Sequence, residues 1–141
     1  MSIGAVLLPL FVQVALTLVL LFWMGFARAG ALRRGETKIP AIALGQPNWP
    51  AKPQQIANCF ANQFQLPVLF YILTVLAIIT HQADLLFVVL AWLFVATRLL
   101  HATIHTGTNY VPWRFYAFLA GAIVLLVMWI VFAADILLGA P

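Results

Sequence analysis

Acidic residues are almost missing from this chain: Glu36, Asp84 and Asp135 are all it has, against seven lysines and arginines in 141 residues. Charged side chains of either sign make up 7% of the sequence and hydrophobic ones 65%, a balance that excludes an ordinary water-soluble domain. Cysteine is equally scarce. Cys59 stands alone, which excludes an internal disulfide and any metal site built from several thiolates, and leaves the redox compartment unread. There is no internal repeat, no low-complexity tract and no RNA- or DNA-binding signature, so nucleic acid is not an expected partner. The surplus of +4 gathers largely in one connecting segment, where it bears on topology and on contact with acidic lipid headgroups.

Long apolar runs are what the chain has in quantity. A membrane-spanning helix needs about 20 residues, and the runs are Ile3 to Phe26, Leu66 to Thr80, Leu85 to Leu100 and Phe115 to Leu138. The second and third reach spanning length only by extending into polar neighbours, Ile56 to Gln65 and His101 to His105. The pattern predicts an all-α integral membrane protein: one domain, 1–141, of four antiparallel helices over 3–27, 54–80, 84–106 and 113–138, with a loop over 28–53. "ARA" at Ala27 to Ala29 resembles a processing site. The flank Met1 to Ala5 has no Lys or Arg, however, and the apolar core is too long for a signal peptide, so the first run is read as a retained helix. Arg28, Arg33, Arg34, Lys38 and Lys52 crowd the first connection, while the second offers only His81 and Asp84. The positive-inside rule then predicts that the first and third connections are cytoplasmic and both termini on the far side of the membrane; Arg114 agrees. Trp49 suits an interfacial anchor, Pro53 the first turn of the second helix, and Pro67 a kink inside it.

Chemistry concentrates on two stripes. Gln55, Asn58, Asn62 and Gln65 recur at steps of three, four and three, and Arg98, His101 and His105 at three and four, so each set shares one helix face. A polar face within a span points at another helix or a wet cavity. Amides of this kind also serve as interhelical glue, each contributing about 0.5–2 kcal/mol, and arginines near helix ends also snorkel to the interface. Neither Arg98 nor Arg114 has an acidic partner nearby in sequence or topology, however, and a guanidinium without a carboxylate is a candidate receptor for carboxylate or phosphate. His101 and His105 raise the question of a metal, but no carboxylate lies on their face and Cys59 adds at best a third ligand; no metal is expected. A transporter is disfavoured by the lack of a charged relay.

The segments NCFANQFQLPVLFY and WLFVATRLLHATIHTGTNYVPWRFYAF resemble the family of membrane-associated proteins in eicosanoid and glutathione metabolism, MAPEG, and the resemblance extends over essentially the whole chain. It implies a four-helix homotrimer surrounded by membrane lipids, here those of a bacterial inner membrane with both termini periplasmic, with glutathione bound between subunits near the cytoplasmic face and used to conjugate, reduce or isomerise lipophilic small molecules. By the same resemblance Asn62 contacts the peptide, Arg98 and His101 form the family's R-x-x-H, and Arg114 is the catalytic arginine that stabilises the thiolate. Asn58, Gln65 and His105 complete the expected ligand-binding set. The chain departs from the family pattern where it carries Asn58, Ala61 and Gln65 in place of two basic residues and a glutamate, and His105 in place of a tyrosine. Two functions follow: a glutathione-dependent transferase or peroxidase acting on lipophilic electrophiles at a cytoplasm-facing intersubunit site, or a non-catalytic member that binds lipid or serves as an accessory membrane subunit.

Overall fold

The computed structural model describes residues 1–139. Five helices follow one another: α1 (Ile3–Arg33), α2 (Ala51–Asn62), α3 (Leu66–Ile79), α4 (Leu85–Thr106) and α5 (Val111–Leu138). Among the described residues there is no strand. Helices α2 and α3 together make one crossing, so four stretches are long and apolar enough to span a membrane.

Local chemistry sets most of the ends. Ser2, in an extended conformation, accepts a hydrogen bond from the Ala5 amide at 3.3 Å and caps α1. At the other end Gly35 takes φ +69°, and the amides of Gly35 and Glu36 return to the carbonyls of Leu32 and Ala31. This is a glycine-centred stop that satisfies the last free carbonyls. Helix α1 runs past the predicted end at residue 27, and at about 46 Å it exceeds a hydrocarbon core of about 30 Å. A crossing therefore does not require its last turns, which carry Arg28 and Arg33. Asp84 caps α4 by accepting from the Phe87 amide at 2.8 Å. The remaining loop, 34–50, holds one 3₁₀ turn, Ile39–Ala41. It is pinned by Thr37 donating to the Asn48 carbonyl at 2.9 Å, Asn48 donating to the Ala41 carbonyl at 2.7 Å, and Arg28 lying over the Trp49 ring.

The second crossing differs from the kinked helix expected over 54–80. The chain leaves the helix after Asn62, passes through Gln65 at φ −98°, ψ −105°, and starts again at Leu66. Pro67 lies in the first turn of α3, where a missing N–H has no cost. A helix continued through Pro67 would leave the Gln63 carbonyl without its donor and press the proline ring against the preceding turn; opening the chain one turn earlier avoids both.

Helix α4 is the central element, in contact with α1, α2 and α5. Phe94 and Val95 of α4 pack with Phe70, Leu73, Leu125 and Met128 in the main core, and Cys59 with Leu20 and Ala102 in a smaller one nearer the loop. The outer surfaces keep large apolar side chains exposed, among them Phe22, Ile72, Leu93 and Ile123, as lipid contact requires. The bundle is asymmetric along its axis. The basic loop, the C-terminal end of α4 and the N-terminal end of α5 share one end; His81, Gln82, Asp84, Asp135 and Met1 line crevices at the other.

Candidate functional site

At the loop end, α2 holds the last turn of α4. Gln55 donates to the carbonyls of His105 at 2.6 Å and Gly107 at 3.0 Å, and the Lys52 ammonium donates to the Thr106 carbonyl while its charge lies 5.4 Å from the Trp23 ring centre. A cation and an amide thus satisfy carbonyls that a helix terminus leaves free, and the cation also complements the helix dipole. This fixes the register of His101 and His105 against α2. The two rings meet edge to face with centroids 5.3 Å apart, and His101 also contacts the Phe118 ring at 5.9 Å. Their residues are only 2% and 6% exposed, and the Nδ1 atoms of both are buried without a hydrogen-bond partner among the described residues.

Arg98 is fully buried, one turn deeper. One Nη donates to the Asn62 Oδ1, and the guanidinium lies 5.7 Å from the Phe118 ring centre; Nε and the other Nη find no partner among the described residues. Room for this side chain comes from Gly121, where an added Cβ would sit 2.7 Å from the Thr97 hydroxyl and 3.8 Å from the Arg98 Cδ. Asn62 in turn donates to the Gln65 Oε1 at 2.9 Å. Both amides therefore have fixed orientations, each oxygen already accepting one hydrogen bond. Arg114, in the first turn of α5, donates to the Asn109 Oδ1 at 2.6 Å. Asn109 occupies the left-handed region at φ 52°, a conformation that asparagine tolerates better than most residues.

These groups surround an open cleft of about 310 Å³ lined by Asn62, Gln65, His101, His105 and Arg114, with Val111, Phe115 and Phe118 as its apolar side. None of these lining residues is acidic. Five of the seven residues singled out from the sequence thus meet at one cleft, and two do not line it. Arg98 lies behind the wall formed by Asn62 and Phe118, where it donates to the Asn62 Oδ1. Asn58 is exposed and pairs with Gln54 at 2.7 Å, because α2 turns Ile56, Ala57 and Cys59 inward instead. Among the described residues no group of three or more His, Cys, Asp or Glu side chains is arranged to hold a metal ion.

The sequence profile of the MAPEG family matches residues 6–134. The chain belongs to the MAPEG family. Comparison with curated proteins and with solved structures returned no match. Of the four residues that carry the MAPEG resemblance, Asn62, His101 and Arg114 line the cleft and Arg98 lies behind it. The departures from the MAPEG pattern sit at the same place: Gln65 lines the cleft, and Asn58 and Ala61 are exposed on α2 close by. Two polar residues escaped the stripe pattern altogether. Gln13 and Gln63 are fully buried and paired at 3.0 Å, and Gln63 also donates to the Cys59 carbonyl. A lone glutamine within a 24-residue apolar run was their signal, because an amide in hydrocarbon needs a partner.

Proposed function

We propose that this MAPEG protein binds a small anionic thiol of the glutathione kind in the cleft and uses it against lipophilic electrophiles that arrive from the bilayer. The observation that carries this reading is Arg114, half-buried at the rim of an acid-free cleft beside His101, His105 and Asn62. A free thiol ionises with a pKa of about 8.5. A guanidinium held against the sulfur favours the thiolate, and the Asn109 contact presets Arg114 for that role before ligand arrives. In a conjugation the thiol proton leaves to water and the thiolate forms a carbon–sulfur bond as the electrophile's bond to its leaving group breaks and that group departs with the electron pair. Val111, Phe115 and Phe118 offer the electrophile an apolar approach. The carboxylates of such a ligand suit Arg114 and the amide N–H groups. We further propose a homotrimer with the cleft facing the cytoplasm and both termini periplasmic; family membership supports the first, and the crowding of basic residues at the cleft end supports the second.

The burial of Arg98 favours a second reading. With that charge behind the wall, one guanidinium remains at the surface of the cleft, enough for a lipid phosphate whose acyl chains lie along Phe115 and the membrane. Calorimetry on the purified protein separates the two. Saturable binding of a thiol tripeptide, with an ultraviolet thiolate band that Arg114→Leu removes while the oligomer persists, is the expected result. Saturable binding of anionic lipid without thiol binding favours the lipid-binding member instead.

A further inference from the structure

The cleft has donors in excess of acceptors. The Gln65 Oε1 accepts from Asn62, and the Asn62 Oδ1 accepts from Arg98. Each of these oxygens keeps one lone pair and a neutral imidazole of His101 or His105 offers one acceptor nitrogen, but the remaining N–H groups of the two amides and of Arg114 outnumber them, and the buried charge of Arg98 adds to the positive side. No carboxylate offsets this. Asp84 and Asp135 line a crevice with Gln82 at the far end of the bundle. Glu36 is held by Arg34 at 2.5 and 3.1 Å, and that hydrogen bond keeps its carboxyl below the usual carboxylate range. A second copy of the chain would bring only the same three acids, so self-assembly adds no carboxylate other than a Glu36 already engaged.

We infer that the ligand of this cleft is an anionic thiol whose amino group is acylated or absent, and that the free ammonium of a zwitterionic peptide is disfavoured. The inference rests on the reading of the cleft as a thiol site. An ammonium brings three donors and no acceptor; in this cleft it meets no carboxylate, only the remaining lone pairs of neutral amides and imidazoles, and it stands against the like charge of Arg114 in a partly desolvated site. Carboxylates of the same ligand meet no such penalty. The discrimination therefore falls on one functional group, and Gln65 is the lining position where a carboxylate would reverse it.

A matched pair of ligands isolates that group: glutathione, and glutaryl-cysteinylglycine, the same tripeptide with the α-amino group replaced by hydrogen. Calorimetry on the full chain is expected to show the deaminated peptide binding at least about tenfold more tightly, and Gln65→Glu is expected to abolish or invert that preference. Gln65 is exposed at the break between α2 and α3, so the variant keeps the fold, which a thermal melt verifies. Glutathione binding as tightly as its deaminated analogue, or more so, overturns the inference and leaves the thiol reading standing. A preference that persists unchanged in Gln65→Glu also overturns it, by moving the discrimination away from this cleft. Failure of both peptides to bind removes the thiol reading and the inference together.

Discussion

Arg98 shows what a single buried charge demands of its neighbours. Its guanidinium is out of reach of solvent and has the Asn62 carbonyl oxygen as its one hydrogen-bonding partner among the described residues. Removing the charge and removing its partner are therefore unequal operations. Arg98→Met replaces a buried ion by an apolar chain of similar volume, a change that is often neutral or stabilising, and strands only the partly exposed Asn62. Asn62→Leu leaves the ion buried with nothing to accept from it, a loss of about 2–3 kcal/mol. Denaturation of the detergent-solubilised protein is expected to rank Asn62→Leu as clearly the more destabilised. The opposite order would mean that Arg98 holds the fold through contacts other than Asn62.

At the scale of elements, the break in the second crossing and the buried amide pair belong together. Gln63, the first residue after α2, accepts from Gln13 of α1 and donates to the Cys59 carbonyl, so the point where the backbone leaves the helix is also where α1 is fastened to it. Gln13→Leu strands the Gln63 oxygen inside the bundle and is expected to cost about 1–3 kcal/mol. Adding Gln63→Leu is expected to recover part of that loss, because replacing both partners by apolar groups is far milder than replacing one. Full additivity in a double-mutant cycle of melting data would show that the pair is not a coupled unit. The four crossings were legible in the sequence, the first and fourth from apolar length alone and the second and third once their runs are extended into the polar stripes beside them. The face shared by Arg98, His101 and His105 was legible from spacing. The break was not, because a proline in an apolar run reads as a kink wherever it falls, and only the chain upstream decides whether it lies inside a helix or in its first turn. Nor was the burial of Arg98 behind Asn62, since spacing gives a face but not a depth, and the small residue that admits it, Gly121, lies on a different helix.

The whole molecule is polarised in charge from one end of the bundle to the other, and the proposed orientation of the cleft rests on that asymmetry. Arg28, Arg33, Arg34, Lys38 and Lys52 stand at the end that carries the cleft, and Arg114 opens α5 there; the far end offers Asp84, Asp135 and His81. The basic loop is short enough for its charges to count toward insertion, and its screened attraction to acidic cytoplasmic headgroups acts in the same direction. Cys59 is fully buried, so the native chain is expected to resist a membrane-impermeant maleimide, and a Cys59→Ser background gives a clean site for introduced thiols. Ser2 and Lys38 are both exposed at opposite ends of α1. In intact cells Ser2→Cys is expected to label from outside, and Lys38→Cys only once the membrane is permeabilised. The reverse pattern would turn the cleft outward, away from any cytoplasmic thiol pool, and would leave the ligand to be sought among lipids and solutes of the outer compartment.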